Sequence, residues 1–235
     1  MVESRTKAQA RILAGQVFIG TERVAKAGDL VPEDAVLRVT EQERYCSRGG
    51  AKLEGALADL QVDVRDVVAV DVGASTGGFT DCLLQHGARR VYAVDVGHGQ
   101  LAEKLRRDAR VVIMDRTNAR HLTPGSFPEP ISLTVVDASF ISLDKLLPAI
   151  AGFSPDECRL LALIKPQFEV GREQATRSRG VITDQAVRAE AVTRALAAVE
   201  HAGFKVLADC PCRVPGPKGN VEHFVLAQKA STQTS

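Results

Sequence analysis

Four ionisable residues in this chain stand at the ends of segments whose composition is typical of buried secondary structure. Asp137 and Lys165 each follow an apolar segment that predicts a buried strand. Lys52 begins a predicted helix, and Glu222 starts the last predicted strand. Because the carboxyl ends of parallel strands meet at one edge of a sheet, Asp137 and Lys165 are expected to face a common site. The alternative is that all four are ordinary surface charges.

The glycine-rich segment 71–80 joins a predicted strand to a predicted helix. Glycines at such a junction let a ligand approach the backbone closely. The spacing of Gly73, Gly77 and Gly78 differs from the G-x-G-x-x-G of dinucleotide sites, and Asp71 would repel a pyrophosphate. The segment therefore favours S-adenosylmethionine, whose cationic methionine end Asp71 could orient, over a nicotinamide dinucleotide. A purely structural turn is the alternative.

Other polar residues complete the predicted cofactor site. Asp95 ends the next predicted strand, where a carboxylate can accept hydrogen bonds from both hydroxyls of a ribose. Asp115 and Asn118 follow the third strand and either reach the adenine end or only cap the loop there. The residues predicted to bind the cofactor are Asp71, Gly73, Ala74, Ser75, Thr76, Gly77, Gly78, Asp95, Asp115 and Asn118.

The four ionisable residues suit methyl transfer to a hydroxyl group. A ribose 2'-hydroxyl is a poor nucleophile, and its oxygen must lie in line with the sulfonium–methyl bond. A lysine that takes or polarises the proton, held by carboxylates, meets that need. Burial disfavours a charged ammonium, whereas neighbouring acids stabilise and orient it. Asp137-Ala-Ser-Phe140 lacks the Pro-Pro-aromatic pattern of many N-methylating enzymes, so methylation of a base amino group is disfavoured.

The elements that must position these residues alternate along the chain from residue 52 onward. Apolar strands are predicted at 67–71, 90–95, 110–114, 131–136, 160–164, 205–208 and 221–227. Helices are predicted at 52–60, 79–86, 143–151 and 184–202. This alternation predicts an α/β domain with a parallel sheet covered on both faces, and together with a loop that favours S-adenosylmethionine it indicates a Rossmann-like class I methyltransferase domain. Its seven-stranded sheet is expected to be mostly parallel, with the last two strands forming an antiparallel pair.

The first part of the chain predicts a small α+β module, with a helix at 4–14 and strands at 16–19 and 35–39. The predicted domain boundaries are therefore a module at 1–43, a linker at 44–51, the α/β domain at 52–229 and a tail at 230–235.

Composition excludes several classes of protein. The net charge of the 235-residue chain is only +1, so a nucleic-acid surface must come from local clusters of basic residues. Such clusters occur at Arg5, Lys7 and Arg11 and again at 165–180, where Arg172, Arg177 and Arg179 lie. Five scattered cysteines indicate a reducing cytosol, and Cys210-Pro-Cys212 lacks a second pair for a metal site. With no apolar leader or membrane-spanning run, we expect a cytoplasmic protein.

Residues 47–228 resemble the TlyA family, a branch of the FtsJ-like RNA ribose methyltransferases that also carries the older name hemolysin-like. The resemblance is carried by SRGGAKLEGAL, DVGASTGGFTDCLL, AVDVGHGQLAEKLR, DRTNAR, DASFISL, LIKPQFEVG and PGPKGNVEHF. It implies a catalytic tetrad of Lys52, Asp137, Lys165 and Glu222. It also implies S-adenosylmethionine as cofactor and cytidine 2'-O-methylation of ribosomal RNA.

The first region resembles the RNA-binding domain named after ribosomal protein S-four, through Ser4-Arg5, ILAGQVFI and KAGD. That domain usually begins with another helix before the Ser-Arg pair, so the resemblance implies a shortened domain here. Arg5, Lys7 and Arg11 would then contact RNA. In the predicted linker, Tyr45 and Arg48 would contact RNA by stacking and by pairing with phosphate, and a plain linker is the alternative.

Three other functions fit parts of this pattern. A non-catalytic RNA-binding or ribosome assembly protein would keep the cofactor pocket, but the intact tetrad speaks against it. A pore-forming cytolysin would need a spanning helix, and the sequence offers neither such a helix nor tryptophan for an interfacial belt. A nicotinamide dehydrogenase is disfavoured by the glycine spacing. The sequence leaves the oligomeric state open.

Overall fold

A computed structural model describes residues 4–13, 15–39, 44–170, 181–216 and 218–231. The chain forms two compact units, Met1–Arg44 and Tyr45–Ser235. The basic residues Arg172, Arg177 and Arg179 lie outside the described residues.

The described residues of the first unit form one helix and a three-stranded antiparallel sheet. Helix α1 spans Arg5–Leu13, and strands β1 (Val17–Ile19), β2 (Glu22–Arg23) and β3 (Leu37–Val39) pair in the order β2-β1-β3. The predicted helix and two predicted strands are present. The short β2 hairpin partner is an addition that the sequence pattern did not predict, because two residues carry no periodicity.

The second unit is built on a seven-stranded sheet in the order β6-β5-β4-β7-β8-β10-β9. Its strands are β4 (Val68–Val72), β5 (Arg90–Val94), β6 (Val111–Met114), β7 (Leu133–Val136), β8 (Arg159–Ile164), β9 (Phe204–Pro211) and β10 (His223–Lys229). The first five run parallel, and β10 is antiparallel to both β8 and β9. The prediction of a Rossmann-like, mostly parallel sheet with an antiparallel pair at one end is confirmed.

The helices of this unit lie on both faces of the sheet. They are α2 (Arg48–Asp59), α3 (Gly78–Gln85), α4 (Glu103–Arg106), α5 (Leu147–Phe153), α6 (Pro166–Glu169) and α7 (Gln185–His201). Strand β4 shows why two layers are needed: Val68 and Val70 pack into one apolar cluster, whereas Ala69 between them packs into the other. Alternate residues of a strand face opposite sides, so a strand apolar throughout must be covered twice.

Helix α2 begins four residues earlier than the sequence predicted. Ser47 is its extended N-cap residue, so residues 48–51 of the predicted linker form the first helical turn and Lys52 lies in the next. Two glycines in that turn disfavour a helix in isolation. The packing explains one of them, because a side chain at Gly50 would bring its Cβ within 2.2 Å of Tyr45 Cγ. Tertiary contact therefore overrides helix propensity here.

Candidate active site

Two adjoining cavities open where the parallel strands end. The first has a volume of about 590 Å³, and all four residues of the predicted tetrad line it. The second has a volume of about 470 Å³. The residues that border both cavities are Gly73, Ser75, Asp137, Ser139 and Phe140. One continuous crevice therefore joins the glycine-rich loop to the tetrad.

The tetrad forms two lysine–carboxylate pairs. Lys52 Nζ donates a hydrogen bond to Glu222 Oε2 at 2.5 Å. Lys165 Nζ lies 2.6 Å from Asp137 Oδ1, in an ion pair whose angle is not that of a hydrogen bond. Both lysines and Glu222 are buried, whereas Asp137 is half-buried. A buried charge is tolerated when it is paired in this way, so the arrangement requires all four groups.

Four different elements bring the tetrad together. Asp137 directly follows β7, where its N–H donates to Val72 O at 3.0 Å and so continues the strand pairing. Lys165 follows the neighbouring strand β8. His223 of β10 pairs with Ile164 of antiparallel β8, so the next step along these strands places Glu222 beside Lys165. Helix α2 supplies Lys52 from outside the sheet.

The glycine-rich loop forms the shared wall of the two cavities. Gly73, Ala74, Ser75, Thr76 and Gly78 line the first cavity. Gly73 has a φ of +86°, and a Cβ there would lie 2.9 Å from Asp137 O. Only glycine permits this close approach between the loop and the segment that carries Asp137.

Gly77 lies behind that wall. A Cβ on it would come within 2.2 Å of Leu105 Cδ1. The structure thus places Gly77 against the apolar core, unlike the other predicted glycines of the loop.

Asp71 is also behind the cavity wall. Its side chain is fully buried, and its Oδ2 accepts hydrogen bonds from Thr80 N at 2.9 Å and Thr80 Oγ1 at 2.7 Å. Burial raises the pKa of Asp71 to about 7. The predicted direct contact of Asp71 with a methionine group is therefore replaced by a contact with α3. The physical reason is that a residue of a central strand, here facing the α3 layer, is covered by that helix.

Asp95 and Asn118 line the second cavity. Asp95 Oδ2 accepts from Ser75 N at 2.8 Å, which ties the end of β5 to the glycine-rich loop. Asn118 Oδ1 accepts from Arg120 N at 3.1 Å and so caps a 3₁₀ turn at the edge of the cavity. The structure brings both residues to the site that the sequence predicted for a nucleoside.

Asp115 is turned towards a neighbouring loop. Its Oδ2 accepts from Gly99 N at 2.9 Å and lies 3.1 Å from His98 Nδ1. The Gly99 N–H, followed by the charge of His98, lowers the pKa of Asp115. Of the two readings of Asp115, this arrangement matches the one in which it holds the loop.

The predicted RNA-contacting residues fall on both units, but Tyr45 is buried in the apolar core of the second unit, so its predicted stacking on RNA is wrong. Arg48 is exposed at the edge of the first cavity, where its Nη2 donates to Pro215 O at 2.7 Å. Arg5 and Lys7 are exposed on α1 of the first unit, and Arg11 is half-buried there. Lys218, which the sequence analysis did not single out, is a second exposed cation lining the first cavity.

The sequence analysis also missed the residues between β7 and α5. Ser139 Oγ accepts a hydrogen bond from Lys165 Nζ at 2.8 Å. Phe140 is 92% exposed, borders both cavities and has a φ of +65°, which is uncommon for a bulky residue. Its ring centroid lies 5.5 Å from that of Phe168. The segment Asp137-Ala-Ser-Phe140 carried a signal for them, because a serine and an aromatic residue directly follow the strand-end Asp137.

The described residues contain no group of three or more histidines, cysteines or acids arranged to hold a metal ion. The five cysteines are free thiols. No helix within the described ranges is both long enough and apolar enough to cross a bilayer.

Comparison with known proteins agrees with this geometry. Residues 45–229 match the model of the FtsJ-like methyltransferase family. The 16S/23S rRNA (cytidine-2'-O)-methyltransferase TlyA of Mycobacterium tuberculosis is 43% identical over 227 residues, which are 96% of this chain and 84% of that protein. Hemolysin A of Brachyspira hyodysenteriae is 40% identical over 228 residues, covering 95% of each chain.

The fold of this chain is also similar to that of several solved structures. A candidate hemolysin from Streptococcus thermophilus has a TM-score of 0.79 at 40% identity, covering 98% of this chain and 85% of that one. Other methyltransferases match with TM-scores of 0.53 to 0.57 at 13% to 16% identity, which shows the fold alone. The predicted methyltransferase fold is thereby confirmed.

Proposed function

Because the chain belongs to the TlyA branch of the FtsJ-like methyltransferase family, we propose that it transfers a methyl group from S-adenosylmethionine to a cytidine ribose 2'-hydroxyl of ribosomal RNA. The observation that carries the proposal is the burial of two lysine–carboxylate pairs in a cavity that adjoins a nucleoside-sized one. The hydroxyl to be methylated would enter the first cavity.

The described residues fit this cofactor. The second cavity has apolar walls that include Val94, Val96 and Leu146, which suit a flat adenine, and Asp95 stands where ribose hydroxyls would donate. In the first cavity, Gln167 Oε1 is buried without a hydrogen-bond partner among the described residues. An unsatisfied acceptor of this kind is expected where a ligand donates. When bound, S-adenosylmethionine supplies an electrophilic methyl group.

Lys165 is the residue best placed to act on the hydroxyl. Its ammonium form has three donors, of which one is bonded to Ser139 Oγ, and Asp137 lies beside it as an ion-pair partner. Lys165 would polarise or take up the 2'-hydroxyl proton and Asp137 would hold the lysine in place, while the bound cofactor would supply the methyl group and leave as S-adenosylhomocysteine. Glu222 and Lys52 compensate each other's charge and hold the opposite wall of the cavity.

The surface around the first cavity suits RNA. Phe140 offers an exposed ring face on which a nucleobase can stack, with the half-buried Phe168 beside it, and Arg48 and Lys218 offer cations for the phosphates. The first unit, as an S-four-type module, would add contacts from the basic helix α1. A substrate of ribosomal RNA implies action in the cytoplasm.

The test is tritiated methyl transfer onto unmodified ribosomal subunits, followed by mapping of the ribose that blocks alkaline cleavage. Lys165→Ala should bind cofactor as wild type does in isothermal titration and lose transfer by about 10²- to 10⁴-fold, the usual contribution of a positioned acid–base group. The matched control is Lys145→Ala, because Lys145 is an exposed lysine outside the cavities. Normal transfer by Lys165→Ala would remove the proposed role. A wild-type protein that binds cofactor and RNA but transfers nothing would instead be an assembly factor.

A further inference from the structure

Glu169 connects the two segments that carry Lys165 and Asp137. It ends helix α6, one turn after Lys165. Its Oε1 accepts a hydrogen bond from Leu143 N at 2.9 Å, and its Oε2 lies 2.8 Å from Ser142 Oγ, which shares its one proton between Glu169 and Asp144 Oδ1 at 2.5 Å. Both oxygens of this carboxylate therefore contact the loop that follows β7.

That loop forms an arch, defined here as residues 138–141. At one end Asp137 N donates to Val72 O, and at the other Glu169 holds Ser142 and Leu143. Ser139 and Phe140 lie in the middle of the arch and border both cavities. Hydrogen bonds therefore hold the arch on both sides of Ser139 and Phe140, the two residues that border both cavities.

The backbone conformation of the arch is strained, so it must be held by contacts with other residues. A bulky residue in the left-handed region, like Phe140 with its φ of +65°, costs on the order of 1–3 kcal/mol and persists only when its surroundings hold it. Phe140 itself is 92% exposed, so core packing contributes little to holding it. Besides the hydrogen bond of Ser139 with Lys165 and the ring contact of Phe140 with Phe168, the contacts at its two ends restrain the arch.

Glu169 is not among the residues that line the first cavity. It instead borders a small internal cavity together with Lys165, Leu143 and Leu146. Burial raises the pKa of Glu169. A half-buried carboxylate is costly unless it is hydrogen-bonded, and its contacts with Leu143 and Ser142 offset that cost.

We infer that Glu169 is a positioning residue for the methyl-transfer reaction, an inference that rests on the proposed function. By holding residues 142 and 143, it keeps Ser139 Oγ on Lys165 Nζ and keeps Phe140 beside the cavity. On the cavity side, the hydrogen bond between Ser139 and Lys165 connects the arch to the end of β8. Away from the cavities, Glu169 connects the arch to α6. Without the contacts of Glu169, Ser139 would no longer be held in place beside Lys165.

Activity tests this directly. Glu169→Ala should lower kcat for subunit methylation by about 10- to 100-fold, since small displacements of positioning groups have effects of this size. The dissociation constant for S-adenosylmethionine should rise by a smaller factor than kcat falls, because Glu169 itself lines neither cavity although residues 138–141 border the second. Glu169→Gln keeps an acceptor for Leu143 N and should restore most of kcat. The matched control is Asp144→Asn, which alters the other carboxylate at Ser142 Oγ and leaves Glu169 in place.

A fluorescence measurement separates positioning from general destabilisation. The chain has no tryptophan, so Phe140→Trp introduces a single reporter in the arch. In that background, Glu169→Ala should lower the residual anisotropy of Trp emission, whereas Asp144→Asn should not. If Glu169→Ala fails to fold, Ser142→Ala removes only one of the two hydrogen bonds and should show the same two effects at smaller size.

The inference is overturned if Glu169→Ala, or Ser142→Ala in its place, retains wild-type kcat and anisotropy. It is also overturned if kcat and cofactor affinity fall together while the anisotropy stays constant. Should the wild-type protein methylate no RNA, the proposed function fails, and the anisotropy comparison still decides whether Glu169 holds the arch.

Discussion

Replacing Asp71 by asparagine should make the protein more stable at neutral and alkaline pH. Asp71 is fully buried in β4, and only one of its oxygens has hydrogen-bond partners, both from Thr80, within the described structure. Burial raises its pKa from 3.8 to about 7. The folded state therefore binds this proton more tightly than the unfolded chain does.

The sign and size of the effect follow from linkage. The stabilising contribution of the protonated Asp71 is complete below its unfolded pKa of 3.8 and is lost as the pH rises through about 7. At about 1.4 kcal/mol per pH unit, the whole shift corresponds to about 4 kcal/mol. Asparagine has nearly the same shape and does not ionise. The difference in unfolding free energy, Asp71→Asn minus wild type, should therefore grow by about 3 kcal/mol between pH 5 and pH 8.

Urea unfolding at several pH values, without cofactor, measures this difference. Thr80→Val serves as a second variant, because it removes the hydroxyl that stabilises the ionised carboxylate. It should raise the pKa of Asp71 further and lower stability most at high pH. A difference between Asp71→Asn and wild type that stays constant from pH 5 to pH 8 would refute the account of a desolvated carboxyl.

Three more outcomes are expected elsewhere in the second unit. Glu222→Gln should cost about 3–5 kcal/mol in urea unfolding because it leaves Lys52 buried without its carboxylate, and adding Lys52→Met should recover much of that loss. Phe140→Ala should raise KM for ribosomal subunits in the methyl-transfer assay by about 5- to 150-fold, the range expected when a stacked base loses about 1–3 kcal/mol, and an unchanged KM would contradict stacking on this ring. Gly77→Ala should lower the free energy of unfolding by about 1–3 kcal/mol, because its φ of +96° is strained for alanine and the new Cβ meets Leu105; wild-type stability would contradict that steric account.

Local pattern was sufficient for the architecture and for the membership of the tetrad. Apolar runs that alternate with helical periodicity dictate a two-sided parallel sheet, because strands that are apolar on both faces must be covered on both. Once the sheet is parallel, residues such as Asp137 and Lys165 that directly follow its strands come to one edge. Asp95 and Asn118 were predictable for the same reason, since each follows a strand of that sheet.

Tertiary structure alone decided how those residues are paired and which way they point. Lys52 bonds to Glu222 and Lys165 to Asp137, a choice that depends on strand register and on the placement of α2. Asp71 and Asp115 have the residue type and position expected of ligands, yet one turns towards α3 and the other towards a neighbouring loop.

Contacts between different segments of the chain also determine three other features. These are the early start of α2, the exposed ring of Phe140 and the hydrogen bond of Glu169 with the arch-flanking Leu143. Strand and helix periodicity is determined by near neighbours along the chain and is therefore visible in sequence. Side-chain direction is determined by neighbours in space, whose identity is known only when the sheet and its helices have assembled.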